Sequence, residues 1–376
     1  MPPDASGLKI TSGKVSAYRV PTDQPEESDG TAVWDSTGVV LVELTAGNKT
    51  GLGYSYAAEA AAHVARELIE KVLFGRDPFD IPALATALGM HVRNMGKPGL
   101  VSSAIAAVDN CLWDLKARLL GLSLVNLLGR MRDDVTAYGS GGFTSYTEKQ
   151  LTDQMIAWAS EGIKYVKMKI GREPSQDVAR VAAVQKALKG KAELFVDANG
   201  AYLRKQALQK AQQFGDLGVR WFEEPVTSDD RVGLRLVVER APAIMSIAAG
   251  EYCYVLDDFR LLIDGRAVDV LQADATRCGG VSNFMKAGGV CETYHLPLSA
   301  HTSPSLHATL CCAVPAAINV EYFHDHVRIE HMFFDGALTA KNGMLRPDPT
   351  RPGLGLELKR KDAEKYRVWD GDVRIQ

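Results

Sequence analysis

The sequence predicts an α/β protein that combines a (β/α)8 TIM-type barrel with an α+β capping domain. From Val135 onward, short apolar runs alternate strictly with segments of helical length. Three of these runs end at Asp197, Glu223 and Glu251, at steps of 26 and 28 residues, about the length of a strand, a helix and two loops. Before Val135, strands come first and helices second, which is the order of an α+β domain.

Composition narrows the class of protein. The chain has 376 residues, 46% hydrophobic and 24% charged, values typical of a globular protein with a large core. Its net charge of −3 offers no basic surface to nucleic acid or anionic lipid. No run approaches the ~20 apolar residues of a membrane span, and residues 1–11 lack the features of a secretory signal. Six irregularly spaced cysteines indicate reduced, buried thiols, so we expect a cytoplasmic protein that binds neither nucleic acid nor a membrane.

Residues 1–130 are expected to form most of the capping domain, to which the turn-rich tail 345–376 returns. The predicted elements are strands at 8–21 and 38–45 and helices at 57–74, 82–93 and 102–120. Between the two strands lies a polar, acidic segment that contains one large aromatic residue, Trp34. Long segments of this kind often act as lids, although an ordinary mobile loop is the alternative.

Residues 131–344 are expected to form the barrel. Its predicted strands are 135–138, 165–169, 194–197, 219–223, 246–249, 270–272, 297–299 and 319–321, and helix-length segments such as 147–161, 175–188 and 203–214 separate them. Eight strand–helix units over about 200 residues fit a closed barrel. An open, doubly wound sheet is the alternative, but no Gly-x-Gly-x-x-Gly follows a first strand.

Charged side chains stand at or just after the carboxyl ends of seven predicted strands. They are Lys169, Asp197, Glu223, Glu251, Asp274, His301 and Glu321. Each lies 20 to 28 residues after the one before, which is one strand–helix unit. Barrels of this type carry their chemistry at that face. Charged residues scattered by chance would not recur once per strand–helix unit at the same strand end. The seven residues are therefore predicted to form a single site.

Three of these residues, Asp197, Glu223 and Glu251, offer only oxygen ligands. Such a set suits Mg²⁺ better than zinc, and it leaves coordination positions for substrate oxygens and water. Glu224 follows Glu223 directly, but the alternation of a strand would turn it to the opposite face. The alternative for all three acids is an ordinary role in surface salt bridges.

Two basic groups are expected to flank the metal. Lys167 and Lys169 lie two apart on a strand and should both face the barrel mouth, where mutual repulsion would lower the pKa of at least one. Solvated lysines at a frayed strand end are the alternative. His301 and Asp274 end adjacent strands, so the carboxylate is expected to orient the imidazole and support its protonated form. Three more histidines follow the eighth strand as expected loop residues or supports behind the site: His324, His326 and His331.

A metal flanked by a lysine and a histidine favours one chemistry. Protons α to a carboxylate are too weakly acidic for a side-chain base alone. A divalent cation that binds the carboxylate stabilises the enediolate formed when the proton leaves. The residues therefore predict Mg²⁺-dependent proton abstraction from a small-molecule carboxylate.

Motifs in both parts of the chain carry a family resemblance. In the barrel they are Lys167-Met-Lys169, Asp197-Ala-Asn199, Glu223-Glu-Pro225, Gly250-Glu251, Asp274 with Gly279-Gly280, Ser299-Ala-His301 and Glu321. In the cap they are Trp113 to Gly121, Leu127-Leu-Gly129 and Pro352-Gly-Leu-Gly355. Together they resemble the mandelate racemase subgroup of the enolase superfamily over nearly the whole chain. The resemblance implies a cap built from both ends of the chain, with lids at 21–38 and near 47–54.

The resemblance also implies individual roles. Lys169 would be one base, with Lys167 as its electrostatic partner. His301, supported by Asp274, would be the other base or the acid, and Glu321 would hydrogen-bond the substrate carboxylate. Further substrate contacts are expected from Asn199, Trp34 and Tyr54. We also expect a homo-oligomer.

Two departures from related patterns narrow the reaction. Glu251 stands where glucarate dehydratase-like members carry asparagine, and no lysine stands near Asp274, where muconate cycloisomerase-like members carry one. Members with the present pattern mostly resemble sugar-acid dehydratases, hydro-lyases that convert aldonates or aldarates to 2-keto-3-deoxy acids. A racemase or epimerase of a 2-hydroxy acid, using the same two bases, is the alternative. A non-catalytic barrel with a binding role is more remote.

Overall fold

An antiparallel sheet forms one layer of the cap in this computed structural model, which describes residues 7–374. The N-terminal strands are β1 (Ile10–Pro21), β2 (Glu27–Ser28), β3 (Val33–Trp34), β4 (Ser36–Ala46) and β5 (Lys49–Ser55). β4 pairs antiparallel with both β1 and β5. The short strands β2 and β3 form a separate hairpin within the predicted lid segment.

Helices cover one face of this sheet. They are α1 (Ala60–Leu68), continued by a π-helical turn (Ile69–Leu73), α2 (Ile81–His91), α3 (Leu100–Leu120) and α4 (Leu124–Leu128). The long helix α3 packs directly on β5, where a Cβ on Gly53 would lie 2.3 Å from the Ala107 carbonyl oxygen. Gly51 and Gly53 therefore serve close packing between sheet and helix, and residues 49–55 form strand β5 where a second lid was expected nearby.

The barrel is closed by eight parallel strands, as predicted. They are β6 (Val135–Gly141), β7 (Tyr165–Lys169), β8 (Glu193–Asp197), β9 (Trp221–Glu223), β10 (Ser246–Ala249), β11 (Val270–Ala273), β12 (Leu298–Ala300) and β13 (Ala317–Phe323). Each pairs with its successor, and β13 pairs back with β6. The intervening helices are α5 (Glu148–Ser160), α6 (Asp177–Leu188), α7 (Arg204–Asp216), α8 (Arg231–Arg240), α9 (Leu256–Asp264), α10 (Val281–Thr293) and α11 (Pro304–Cys311), and α12 (His324–Phe333) follows β13.

The tail runs from the barrel back to the cap. Its elements are β14 (Phe334–Asp335), β15 (Met344–Leu345), β16 (Glu357–Leu358), α13 (Arg360–Glu364) and β17 (Arg367–Arg374). β15 lies antiparallel beside β6 of the barrel. β17 pairs antiparallel with β1, with Val15 opposite Gly371, and so completes a sheet in the order β17-β1-β4-β5.

Asp114 on α3 fastens the tail to the cap. Its carboxylate accepts the Leu52 N–H at 2.7 Å and the Leu354 N–H at 2.6 Å, while Arg118 Nε lies 2.6 Å away. Gly353 sits at φ 69°, and a Cβ there would lie 2.1 Å from Asp114 Oδ1. Only glycine fits at this position, which accounts physically for the glycine-rich tail motif.

The six cysteines are buried and free, in agreement with the expectation of reduced thiols. Among residues 7–374, no helix combines the length and apolar character needed to cross a bilayer.

Candidate active site

Three carboxylates meet at the carboxyl ends of neighbouring barrel strands. Asp197 ends β8, Glu223 ends β9, and Glu251 follows β10. One oxygen from each lies within 4.8 Å of the other two, and all three side chains are buried. Three anionic groups this close and shielded from water require positive charge among them. The set therefore fits a divalent cation with oxygen ligands.

Glu224 is not part of this cluster, as expected, but strand alternation is not the reason. It lies just beyond the end of β9 with φ at 38°, a left-handed conformation in which alternation no longer sets its direction. Burial, reinforced by the charges of Glu251 and Asp197, raises the pKa of its carboxyl group well above the usual value. Glu224 is a fourth buried acid beside the cluster.

The two lysines of β7 both turn toward the carboxylates. Lys167 Nζ lies 2.6 Å from Glu223 Oε1 and 2.8 Å from Glu321 Oε1, and its side chain is fully buried. Lys169 Nζ lies 2.5 Å from Asp197 Oδ2. Burial acts to lower the pKa of each ammonium group, but the carboxylates outweigh it and raise both pKa values above normal. The predicted lowering by mutual repulsion is therefore wrong for the lysines in this arrangement.

His301 is held between two carboxylates. Its Nδ1 lies 2.9 Å from Asp274 Oδ2, and its Nε2 lies 2.9 Å from Glu251 Oε2. Burial acts to lower its pKa, but Glu251 and Glu321 raise it to about 9. Asp274 is fixed in turn by the backbone N–H and hydroxyl of Thr276, each 2.7 Å from its Oδ1. The imidazole thus keeps one orientation and is favoured in its protonated form.

Glu321 is anchored from several sides. Its Oε1 accepts a hydrogen bond from Ser140 Oγ at 2.6 Å, and its Oε2 accepts the Thr302 N–H at 3.0 Å. Burial acts to raise its pKa, but Lys167 and His301 lower it to about 2. The group is therefore an ionised carboxylate in a fixed position.

Two supporting residues escaped the sequence analysis. Arg277 Nη1 lies 3.6 Å from Glu251 Oε1, and its place in the glycine-bounded loop after β11 could have drawn attention to it. His307 donates from Nδ1 to the Thr302 carbonyl at 2.7 Å and accepts the Ala275 N–H at Nε2 at 2.8 Å. It ties the loops after β11 and β12 together. Its setting in an apolar run gave no sequence signal for this role.

A cavity of about 350 Å³ lies above these groups. From the barrel it is lined by Lys169, Asn199, Glu251, Tyr252, Arg277, His301, Thr302, Glu321, Phe323, Asp325 and His326. From the lid and cap it is lined by Asp29, Ala32, Trp34, Ser36, Thr37, Gly38, Tyr56, Ala57 and Ala58. Lys167 lies beneath the cavity and holds carboxylates in place. The two predicted bases, Lys169 and His301, and one predicted metal ligand, Glu251, therefore line the same cavity.

The lid is docked on the barrel. Thr144, in the loop after β6, donates its backbone N–H to the Ser28 carbonyl at 2.8 Å and its hydroxyl to the Asp29 carbonyl at 2.9 Å. Trp34 packs edge-on against Phe143, with ring centroids 5.5 Å apart. The segment therefore forms a fixed wall of the cavity, with Trp34 in the position predicted for a substrate contact.

Tyr54, in contrast, is not at the cavity. It is fully buried in the core, and its hydroxyl donates to Glu330 Oε1 at 2.7 Å. The next aromatic residue, Tyr56, lines the cavity and stacks on His326 with ring centroids 3.4 Å apart. The chain leaves β5 at Ser55, so Tyr56 is placed by the turn beyond the strand, and the prediction for Tyr54 is corrected accordingly.

The three histidines after β13 lie in different surroundings. His326 lines the cavity, and its Nδ1 accepts the Ser303 N–H at 3.3 Å. His324 Nε2 lies 2.7 Å from Asp23 Oδ2 in the lid segment. His331 is exposed and contacts the Val327 carbonyl and the Thr339 hydroxyl. Only His326 of the three reaches the cavity within the described structure.

Comparison with known proteins gives a consistent family assignment. Residues 15–129 match the mandelate racemase / muconate lactonizing enzyme N-terminal domain, and residues 150–363 match the enolase C-terminal domain-like family. A mandelate racemase/muconate lactonizing enzyme-like protein from Rubrobacter xylanophilus superposes with a TM-score of 0.93 at 48% identity, covering 96% of this chain and 100% of that one.

The names of several curated relatives state a reaction, among them a dehydratase and a cycloisomerase. L-talarate/galactarate dehydratase of Salmonella typhimurium is 32% identical over 326 residues, 85% of this chain and 79% of that protein. Its crystal structure with Mg and L-lyxarohydroxamate superposes with a TM-score of 0.91 at 28% identity, covering 99% and 96% of the two chains. D-galactarolactone cycloisomerase of Agrobacterium fabrum is 28% identical, covering 96% and 100%. This chain belongs to the mandelate racemase / muconate lactonizing enzyme family.

Proposed function

We propose that this protein is a sugar-acid dehydratase that binds Mg²⁺ through Asp197, Glu223 and Glu251. It removes the proton from C2 of the substrate and expels the 3-hydroxyl group, giving a 2-keto-3-deoxy acid. One observation carries the proposal. Lys169, at the end of β7, and His301, after β12, line the same cavity from strands that lie three apart around the barrel, and each contacts a different member of the three-carboxylate cluster.

The two basic residues have complementary protonation tasks. When bound, Mg²⁺ supplies positive charge that stabilises negative charge on the substrate carboxylate and offsets the carboxylates that raise the pKa of Lys169. Neutral Lys169 then accepts the C2 proton at Nζ. His301, protonated and held by Asp274, donates a proton from Nε2 to the 3-hydroxyl as the C3–O bond breaks. Water leaves, and the resulting enol becomes the 2-keto acid by gaining a proton at C3.

Glu321 and Asn199 are proposed to position the substrate. Both line the cavity, and Glu321 is held rigidly by Ser140, Thr302 and Lys167. A hydrogen bond between Glu321 and the substrate carboxylate requires one proton shared by the pair. The buried Asn199 Oδ1 has no hydrogen-bond partner among the described residues, so it is available to a substrate hydroxyl.

The charges of the lining favour a substrate with one carboxylate. Its two long cationic side chains, Lys169 and Arg277, already face carboxylates of the barrel. The rest of the lining contributes two further acids, Asp29 and Asp325, and no other lysine or arginine in the part of the chain that the structure describes. A second substrate carboxylate would lack a cationic partner there, which favours aldonates over aldarates.

The test is a screen of aldonic and aldaric acids with Mg²⁺ for 2-keto-acid formation, paired by sugar configuration. We expect turnover of at least one aldonate and weaker or no turnover of its matched aldarate. Turnover of aldarates alone would contradict the charge argument and leave dehydration standing. Failure of every acid in a library of all configurations, with the enzyme folded and Mg²⁺ bound, would count against dehydration.

A racemase or epimerase is the second candidate, because Lys169 and His301 both line the cavity and two bases could serve the two faces of C2. Both reactions begin with loss of the C2 proton. Incubation of each acid in D₂O separates them, since racemisation yields deuterated acid of inverted configuration and no 2-keto acid. Inversion without keto-acid formation on the preferred substrate would replace the proposal with this alternative.

A further inference from the structure

A second group of metal-binding side chains lies between the lid and the barrel, outside the active-site cavity. Asp23 follows β1, Glu27 lies in β2, and His324 begins α12. One ligand atom from each lies within 4.8 Å of the other two. His324 Nε2 and Asp23 Oδ2 are 2.7 Å apart. The side chains of His324 and Asp23 are 26% and 37% exposed, so solvent ions can reach the group.

Glu27 shows that the group is incomplete without a ligand. Its side chain has no exposure, and neither carboxylate oxygen has a hydrogen-bond partner in the described structure. The carboxyl group faces those of Asp325 and Asp23, and burial beside these acids raises its pKa to about 10. A buried carboxylate that accepts no hydrogen bond is strongly disfavoured, so Glu27 must either hold a proton or bind a cation.

The neighbouring charges do not balance the acids. Asp325 is also fully buried with both oxygens unpartnered by hydrogen bonds, and Arg328 Nη2 lies 3.6 Å from its Oδ1. The same nitrogen of Arg328 donates to the Pro21 carbonyl at 2.6 Å. One guanidinium thus stands against the three acids Asp23, Glu27 and Asp325. His324, 2.7 Å from Asp23, can carry a further charge when protonated. A histidine binds metal in its neutral form, and with His324 neutral the deficit amounts to two positive charges, the charge of one divalent cation.

We propose that Asp23, Glu27 and His324 bind a second divalent cation that fastens the lid to the barrel. The donor set contains an imidazole nitrogen as well as carboxylate oxygens, and this mixture favours Zn²⁺ over Mg²⁺. The all-oxygen cluster of Asp197, Glu223 and Glu251 has the opposite preference. The two sites can therefore be distinguished by the metal ion that each prefers.

The position of the second site indicates a structural role. Two ligands come from the lid segment that continues to Trp34, and the third comes from the first residue of α12, three residues after Glu321. A cation there would join the wall of the cavity to the strand that carries Glu321. This inference rests on the lid contacts alone and does not depend on the proposed dehydration.

The test is the number of zinc ions bound by the metal-stripped full-length chain, measured by titration calorimetry and elemental analysis in the Asp197→Asn variant, in which the active-site cluster is disabled. We expect one tightly bound Zn²⁺ per chain in this background. Adding Glu27→Gln or His324→Ala should weaken that binding by at least tenfold. His331→Ala is the matched control, a histidine on the same helix outside the group, and it should bind as before.

Stability provides a second readout if a double variant folds poorly. Zn²⁺ should raise the Tm of Asp197→Asn and fail to raise that of the milder double variant with Asp23→Asn. Absence of zinc binding in Asp197→Asn would overturn the proposal and mean that protons balance the acids. Zinc binding that survives both Glu27→Gln and His324→Ala would overturn it as well.

Discussion

The barrel wall and the lid wall of the cavity hold their side chains by different forces. On the barrel wall, charged groups are fixed by short polar contacts, such as Lys169 to Asp197 at 2.5 Å and His301 to Asp274 at 2.9 Å. On the lid and cap wall, neutral hydrogen bonds to the backbone and ring contacts hold the side chains, such as Trp34 against Phe143 with centroids 5.5 Å apart. We therefore expect catalysis to depend on the barrel wall and substrate preference on the lid wall.

The strongest test of this division separates the two barrel bases. Lys169→Met should lose both dehydration and exchange of the C2 proton with D₂O, because it removes the base. His301→Asn should lose dehydration by about 10²–10⁴-fold, the usual contribution of general acid–base catalysis. It should retain exchange, since the proton on Lys169 can equilibrate with solvent.

Deuterium in recovered substrate, followed by NMR beside keto-acid formation, is the measurement. Exchange that persists in Lys169→Met and disappears in His301→Asn would reverse the two roles. Loss of exchange in both variants would mean that proton removal itself needs both Lys169 and His301.

The next largest effect is expected at the metal cluster. Glu251→Gln removes one negative ligand and the carboxylate that faces His301, so kcat should fall by about 10²–10³-fold or more. Circular dichroism should report an intact fold. Glu239→Gln, an exposed carboxylate on α8, is the control and should be fully active. Activity that is undiminished after chelation with EDTA would break the prediction.

A smaller effect is expected from the lid wall. Trp34→Ala removes apolar surface from the cavity and should raise KM roughly tenfold, equivalent to about 1.4 kcal/mol of lost contact, with little change in kcat. Trp34→Phe should recover part of the loss. A fall in kcat with KM unchanged would show that the lid takes part in the chemical step and would break the division between the walls.

The smallest effect on turnover is expected at the junction of cap and barrel, where the change is in stability. Glu330 accepts hydrogen bonds from Tyr54 at 2.7 Å and from the Ser305 N–H at 3.0 Å, and burial raises its pKa from 4.5 to about 7. The folded state holds this proton more tightly than the unfolded state. Its stabilisation is therefore complete below pH 4.5 and is lost as the pH rises to about 7.

Glu330→Gln should remove this pH dependence, which amounts to about 1–3 kcal/mol of unfolding free energy. Urea unfolding at pH 5 and pH 8 measures the difference in unfolding free energy. Glu239→Gln should keep the wild-type dependence of that free energy on pH. If the unfolding free energy depended on pH equally in wild type and Glu330→Gln, Glu330 would be ionised in the folded protein. Turnover should change little, because Glu330 lies behind the cavity.

The sequence was most informative where one rule repeats. Residues such as Asp197 and His301 could be located because each strand of a parallel barrel delivers its last side chain to the same face. The rule does not predict the conformation of residues beyond the strand ends or the charges around each side chain. Glu224 stays outside the three-carboxylate cluster as expected, but its left-handed backbone means that strand alternation is not the reason. The surrounding carboxylates reversed the expected pKa shift of Lys169.

Contacts between distant segments were beyond the reach of the sequence. Tyr56 reaches the cavity and Tyr54 does not, because the cap docks against α12 and stacks Tyr56 on His326. No local pattern encodes that docking. The same limit applies to the glycines of β5. They allow α3 to pack closely on the strand, but in the sequence alone they look like the glycines of a flexible loop.

The pairing of β1 with β17 has a consequence for synthesis on the ribosome. β1 lies near residue 15, and the strand that covers its outer edge lies near residue 370. At ~5–20 residues per second, that edge stays open for roughly 20–70 s while the barrel is being made. Exposed strand edges invite pairing with other chains. The nascent cap therefore needs protection from its neighbours until the final strand emerges, and ribosome-bound chains halted before residue 367 should aggregate more readily than those released after it.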